Sequence, residues 1–204
     1  MSEGAAGQRT LPVWQRNLVI QADRLVYWLT RHWLLTVNVL LGLFLGLALL
    51  SPLLRAWGHE SLGEALFGLY GRVCHQRPER SFFVQGEQVA FCQRDVGQYV
   101  GLILGGLLYG ASGRAWRVGN WRFYLAVFVL PVAVDGLSQM VGLRQSNWML
   151  RLGTGSWFGA GTAFFAYPLI EAGMVDTRRE LEARFGPGLA RLREEPQSPG
   201  GKGG

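Results

Sequence analysis

The chain has 204 residues, 49% hydrophobic and 17% charged, with 29 glycines, eight tryptophans and a formal net charge of +6. A soluble domain carries about 25% charged residues, so this deficit is a membrane signal. No module interleaves basic and aromatic residues in the manner of a nucleic-acid surface, and the positive charge reads as topology and attraction to anionic lipid.

Residues 1–11 are small and polar and are expected to be disordered. They open a cytoplasmic N-terminal segment, residues 1–32, in which Trp14, Leu18, Leu25, Trp28 and Leu29 recur at helical spacing. That pattern suits an amphipathic helix in the headgroup layer or a plain extension of the first span. A signal peptide does not fit, because the segment is polar and basic and no small-residue cleavage site follows the first apolar run.

That run, residues 33–54, is uncharged, and 22 residues at a helical rise reach ~33 Å against a hydrocarbon core of ~30 Å. Residues 96–113 and 152–170 are also uncharged, and residues 123–143 carry only Asp135. The expected fold is therefore all-α: a four-span membrane bundle over residues 33–171 with flanking amphipathic helices. In the first span Gly42 and Gly46 form a small-xxx-small pair, and Ser51-Pro52 ends the apolar region. An extracytoplasmic loop, residues 55–95, follows. Leu62, Leu66, Leu69, Tyr70 and Val73 line one side of a second amphipathic piece, Pro78 stops any helix, and residues 79–91 form a loop or short hairpin around Gln85-Gly86. Gly97, Gly101 and Gly105 in the second span, and Gly155, Gly159 and Ala163 in the fourth, read as bundle seams. Residues 172–204 form a cytoplasmic charged helix from Asp176 to Glu195, broken at Gly186-Pro187-Gly188, and a flexible tail.

Lysine and arginine set the orientation. With both termini inside, thirteen basic residues face the cytoplasm and seven the other side, and the short loop 114–122 holds three arginines and no acid. The motif loop and the 143–151 loop then share the extracytoplasmic face. Asp135 lies ~13 Å along its helix from the Arg144 boundary, where a carboxylate costs ~2.5–3.5 kcal/mol and is expected to face the bundle interior with a partner. Arg94 and Arg151 are the candidates. Ser146 is the expected N-cap of the fourth span.

Both cysteines and one of the three histidines sit in a single stretch, Cys74-His75-Gln76-Arg77-Pro78-Glu79-Arg80-Ser81-Phe82, closed by Cys92-Gln93-Arg94-Asp95. Further blocks are Gly97-x-Tyr99-x-Gly101 and Asp135-Gly136-x-x-Gln139-x-x-Gly142-x-Arg144-x-Ser146-Asn147. These blocks, in this order over about residues 74–155, resemble the membrane-protein family called "domain of unknown function 2085". The resemblance implies a small multi-span membrane protein and brings no known activity. Where the family pattern commonly reads Cys-x-Arg-Cys, this chain has Asp95 in the last position.

Three readings of the site stay open. Cys74, His75, Cys92 and Asp95 offer ligands acceptable to zinc or another transition metal. Cys74 and Cys92 would form a disulfide in an oxidising compartment, worth ~3 kcal/mol in the chain-entropy model, or a redox-active pair. That bridge would suit a structural or assembly subunit. An enzyme or carrier for an anionic, lipid-like substrate would use Arg80, Arg94, Arg144 and Arg151 for phosphate, with Asp135 and His75 as acid or base. Tyr99, Gln139 and Asn147 complete the expected pocket. The lipid bilayer is the expected partner, with a homo-oligomer or a membrane partner subunit left open.

Overall fold

A lipid-embedded chain closes its backbone hydrogen bonds within each segment, so long uncharged runs are helical. The structure, a computed structural model, describes residues 12–117, 119–143 and 145–185. The expected disorder of residues 1–11, the break at Gly186-Pro187-Gly188, the helix beyond it, the tail and Arg144 lie outside the described residues. In chain order the elements are α1 (Val13–Ala56), α2 (Glu60–Tyr70), a 3-10 turn (Pro78–Arg80), strands β1 (Ser81–Val84) and β2 (Glu87–Cys92), and α3 (Gln93–Ala111). Then follow α4 (Trp121–Tyr124), a π turn (Leu125–Val129), α5 (Leu130–Met140) and α6 (Trp148–Phe185). The fold is all-α apart from the small antiparallel hairpin.

Among the described residues three helices are long and apolar enough to cross a membrane: Asn17–Ala56, Trp121–Met140 and Trp148–Ala183. This corrects the expectation of four. The helix α3 has 19 residues, but Gln93, Arg94, Asp95, Gln98 and five glycines dilute its leucines. Its polar and glycine positions serve packing, since Gln93, Gly97, Gly101, Gly105 and Gly106 are buried. Large apolar side chains face outward on α3 as on the other helices, among them Leu35, Leu40, Leu43, Leu104, Leu107, Leu130, Leu137 and Trp157. Exposed apolar surface on this scale belongs in lipid.

Two units are distinguished, residues 34–172 and the pair of outer segments, residues 1–33 with 173–204. In the outer unit, Tyr27 donates to Glu182 Oε1 at 3.3 Å and the Trp28 and His32 rings stack at 4.9 Å. Trp14, Leu18, Leu25 and Trp28 are exposed. The chain is helical without interruption from Val13 into the first span.

Within residues 34–172, α3 and α6 meet along the expected glycine seam. A Cβ at Gly97 would overlap the Leu152 carbonyl oxygen, and one at Gly101 would overlap that of Ser156. Reciprocally, Gly155 abuts the carbonyl oxygen of Arg94 and Gly159 that of Gln98. Contacts this close need bare Cα atoms on both sides. Gly42 and Gly46 differ, for nothing lies within 4 Å of a Cβ at either position.

Pro131 lacks an N–H and leaves a carbonyl in the preceding turn without its helical donor. The Trp157 indole N–H donates to Val127 O at 2.8 Å, within the π turn. Gly161 leaves room for the Phe128 ring beside it. The α4–α5 run is thus held against α6 by an indole hydrogen bond and a ring seated on glycine.

The core cluster sits under the hairpin, where Leu45 and Ala48 of α1 meet Tyr70, Cys74, Val89, Ala90, Phe91 and Val96. Tyr70 donates to Phe44 O at 2.6 Å, and its ring packs edge-on to Phe91 at 4.8 Å. The inward face of α2 is Gly63, Phe67 and Tyr70, whereas Leu62, Leu69 and Val73 are exposed, so of the expected apolar side Tyr70 alone is turned fully into the core. Gly63 decides the rotation of α2. It lies against Arg55 and the Ser51 carbonyl, and Ser51 Oγ donates to Gly63 O at 2.9 Å. Gln85 and Gly86, at φ 53° and 84°, supply the two left-handed residues of a tight hairpin turn.

Candidate functional site

Cys74 follows α2 directly, its N–H donating to Tyr70 O at 2.9 Å. The next residues leave the helix because Gln76 adopts φ 46° and Pro78 cannot continue it. Glutamines pin this segment to the hairpin. Gln76 Nε2 donates to Phe67 O at 2.7 Å and Ala90 O at 3.1 Å, while Gln88 Nε2 donates to Gln76 O at 2.6 Å. Arg55 braces β2 through the Gln88 carbonyl and the Glu87 carboxylate, the latter at 3.0 Å.

Cys92 ends β2 and caps α3 from an extended conformation, φ −72° and ψ 160°. Asp95 lies in the first turn of that helix. The hairpin thereby returns Cys92 beside Cys74, whose Sγ accepts from the Cys92 N–H at 3.3 Å. The Cys74 and Cys92 sulfurs and an Asp95 carboxylate oxygen all lie within 4.8 Å of one another. Both cysteines are free thiols, so the expected disulfide is not formed in this structure. His75 stands outside the group. Cys74 is buried, whereas His75 is exposed.

The two thiols are unequal. A hydrogen bond to Cys92, then burial, then a hydrogen bond to Asp95 push the Cys74 thiol above its ordinary value. The hydrogen bond from Cys74 is the largest influence on Cys92 and holds that thiol below its ordinary value. Deprotonation as pH rises therefore begins at Cys92. In metal-free protein, alkylation by iodoacetamide is expected to label Cys92 at lower pH than a free cysteine and Cys74 only at higher pH. Peptide-resolved mass spectrometry across pH checks this, and coincident profiles would contradict the assignment.

Behind the thiols lies a second polar layer. Asp135, 1% exposed, accepts from Arg94 Nη2 and from Gln139 Nε2, the latter at 3.0 Å. Of the two partners expected for Asp135, Arg94 pairs directly and Arg151 is linked through Gln139, whose Oε1 accepts from Arg151 Nε at 3.3 Å. Arg151 Nη1 also donates to Glu79 O at 2.9 Å and Gln93 Oε1 at 3.2 Å. The N-terminus of α6 is capped by Asn147, whose Oδ1 accepts from the Leu150 N–H at 2.8 Å, and not by Ser146. Asparagine has the reach to bond the third helical N–H from the position just before Trp148.

Two clefts open on these layers. One, of about 520 Å³, is lined by Cys74, His75, Arg77, Arg80, Cys92, Arg94, Asp95, Gln139 and Arg151 among others. The other, of about 650 Å³, shares Arg80, Gln139 and Arg151 and adds Ser146, Asn147 and Trp148. Of the residues singled out from the sequence, Tyr99 lines neither cleft. It stacks on Phe91 at 5.1 Å and meets Phe44 edge-on, as part of the core. Gln93 was missed. It bridges Arg151 to the hairpin, its Nε2 donating to Ser81 O at 3.0 Å, and its position between Cys92 and Arg94 was the available signal.

Residues 74–165 match the model of a family described as "Predicted membrane protein (DUF2085)". An uncharacterized protein of Methanocaldococcus jannaschii is 37% identical over 106 residues, covering 51% of this chain and 67% of the relative. Another, from Methanothermobacter thermautotrophicus, is 34% identical over 91 residues, 45% of this chain and 81% of the relative. The chain belongs to this family. The DUF2085 match starts at Cys74 and spans both cysteines, Asp95, the Arg94–Asp135 pair and Arg151. No solved structure matches the chain.

Proposed function

We propose that this membrane protein carries a transition-metal centre of the zinc type, held by Cys74, Cys92 and Asp95 and open to the cleft. The observation that carries the reading is the convergence of two thiols and a carboxylate within 4.8 Å. Three protein ligands with a free fourth position is the arrangement of zinc sites that bind a further group, as opposed to closed structural sites. Asp95 is the harder ligand of the three, and a cysteine in its place would strengthen binding of soft metals. His75 lines the cleft and is left for the open side. The distribution of arginines supports an extracytoplasmic position for this end of the bundle, with both termini in the cytoplasm.

Purified protein is expected to hold one equivalent of metal after exposure to zinc and buffer exchange, and Cys92→Ala to hold none. Metal analysis by mass spectrometry reads both. Stoichiometric metal persisting in Cys92→Ala would sink the ligand assignment.

The proximity of the sulfurs also supports a second reading, a dithiol that closes to a Cys74–Cys92 disulfide and makes the protein a thiol-redox or structural membrane subunit. Two thiols freely alkylated under non-reducing denaturation, in protein isolated from its own membrane, would exclude it.

A further inference from the structure

We propose that the cleft binds a phosphate-class dianion, gripped between the guanidinium groups of Arg80 and Arg151 beside the metal centre. The inference rests on the metal reading for what lies next to the anion, and on the arginines for the anion itself.

Charge is the first argument. Among the described residues four arginines, at positions 77, 80, 94 and 151, line the cleft. Asp135 neutralises Arg94 from behind, and Asp95 is the one acid among the described residues of the wall. A divalent ion held by two thiolates and Asp95 makes a centre with a single negative charge. The cleft then keeps a surplus of two positive charges, the charge of a phosphate monoester or of inorganic phosphate near neutral pH. Like charges gathered in a partly enclosed site repel one another strongly unless an anion sits between them.

Geometry is the second argument. Arg151 is fixed by three oxygens that are all neutral: Gln139 Oε1, Glu79 O and Gln93 Oε1. Its fork is oriented without being neutralised, and Nη2 is uncommitted among the described residues. Arg80 has no carboxylate partner among the described residues, and the turn Pro78–Arg80 holds it at the boundary shared by both clefts. Two guanidinium planes, one of them pre-oriented, suit bidentate recognition of phosphate oxygens. The second cleft continues from the shared arginines past Ser146, Asn147 and Trp148, which leaves room for a larger body attached to the phosphate. A lipid with a phosphate monoester headgroup and free phosphate offer the same chemistry to these arginines.

The full chain, reconstituted in phosphatidylcholine nanodiscs with and without zinc, is titrated with inorganic phosphate by calorimetry. A parallel set of discs contains phosphatidic acid, whose headgroup is a phosphate monoester. Saturable binding is expected, weakened about tenfold or more by Arg80→Gln and, separately, by Arg151→Gln, and unchanged by Arg122→Gln. Arg80→Gln breaks no described side-chain hydrogen bond and so guards against a folding artefact in Arg151→Gln. Weaker phosphate binding in the phosphatidic acid discs identifies a lipid headgroup as the occupant; equal binding in both identifies free phosphate. Phosphate binding absent from both sets, or indifferent to both arginine variants, overturns the proposal. Metal bound to wild type without arginine-dependent phosphate binding defeats the anion site alone. Arginine-dependent phosphate binding in a protein that never holds metal defeats the metal centre alone.

Discussion

Replacing Asp135 with alanine is expected to cost about 3–5 kcal/mol, because it leaves a partly buried guanidinium without its counter-ion. Asp135 is almost wholly enclosed, and Arg94 Nη2 and Gln139 Nε2 both donate to its carboxylate. Removing it strands Arg94 and leaves Gln139, which in turn holds Arg151, with only its bond to the backbone carbonyl of residue 135. Denaturation of the purified protein in mixed micelles reads the loss directly. The double variant Arg94→Leu/Asp135→Leu removes both charges together and is expected to recover most of the stability, since a well-packed apolar pair can equal a buried ion pair. A loss within about 1 kcal/mol for Asp135→Ala, the size of an ordinary substitution, would show that the pair does not organise this end of the bundle.

The second large effect belongs to the α3–α6 seam. Gly101→Val is expected to destabilise by at least about 1–3 kcal/mol, the usual cost of overpacking. A Cβ at Gly101 meets the Ser156 carbonyl oxygen and the Ala160 nitrogen, which are backbone and cannot rotate aside. Gly159 offers the matching test from the other helix, against Gln98 and Leu102. Gly42→Ala is the control. Nothing lies within 4 Å of its Cβ, and exchanging glycine for alanine inside a helix gains up to about 1 kcal/mol. Equal responses at Gly42 and Gly101 would mean that the seam carries no packing constraint. Because the Gly155 Cα abuts the Arg94 carbonyl, a widened seam would also shift the residues around Asp95, so lost metal should accompany lost stability in the Gly101 variant.

How much of this was readable beforehand differs from element to element. The span at residues 33–54 was legible because an uncharged run of that length has one stable form in lipid. The seam was legible because glycines four apart fall on one helical face. The apolar side of α2 was legible in Leu62, Leu69 and Val73 but not its direction, away from the core with Tyr70 turned inward, since a membrane-boundary helix can turn leucine toward lipid as readily as toward a core. There the small residue, Gly63, marks the contact. Counting charge alone made α3 a fourth span, whereas its glycine and glutamine content places it below the apolarity of the other three. The thiol pair was legible as two cysteines 18 residues apart, but not that exposed His75 stands outside the group they form with Asp95.

The sequence by itself determined the solvent, the helical class and the polar inventory of the site, because these follow from composition and local periodicity. Only the tertiary structure decided which of those polar groups meet. It set Asp95 without His75 beside the thiols, Arg94 instead of Arg151 on Asp135, and Gln93 between the hairpin and α6. The physical reason is that such pairings depend on the rotation of each helix about its axis and on the register of the hairpin. Those are settled by the Gly63 contact, the α3–α6 seam and the turn at Gln85-Gly86, each of which joins parts of the chain that no local pattern relates.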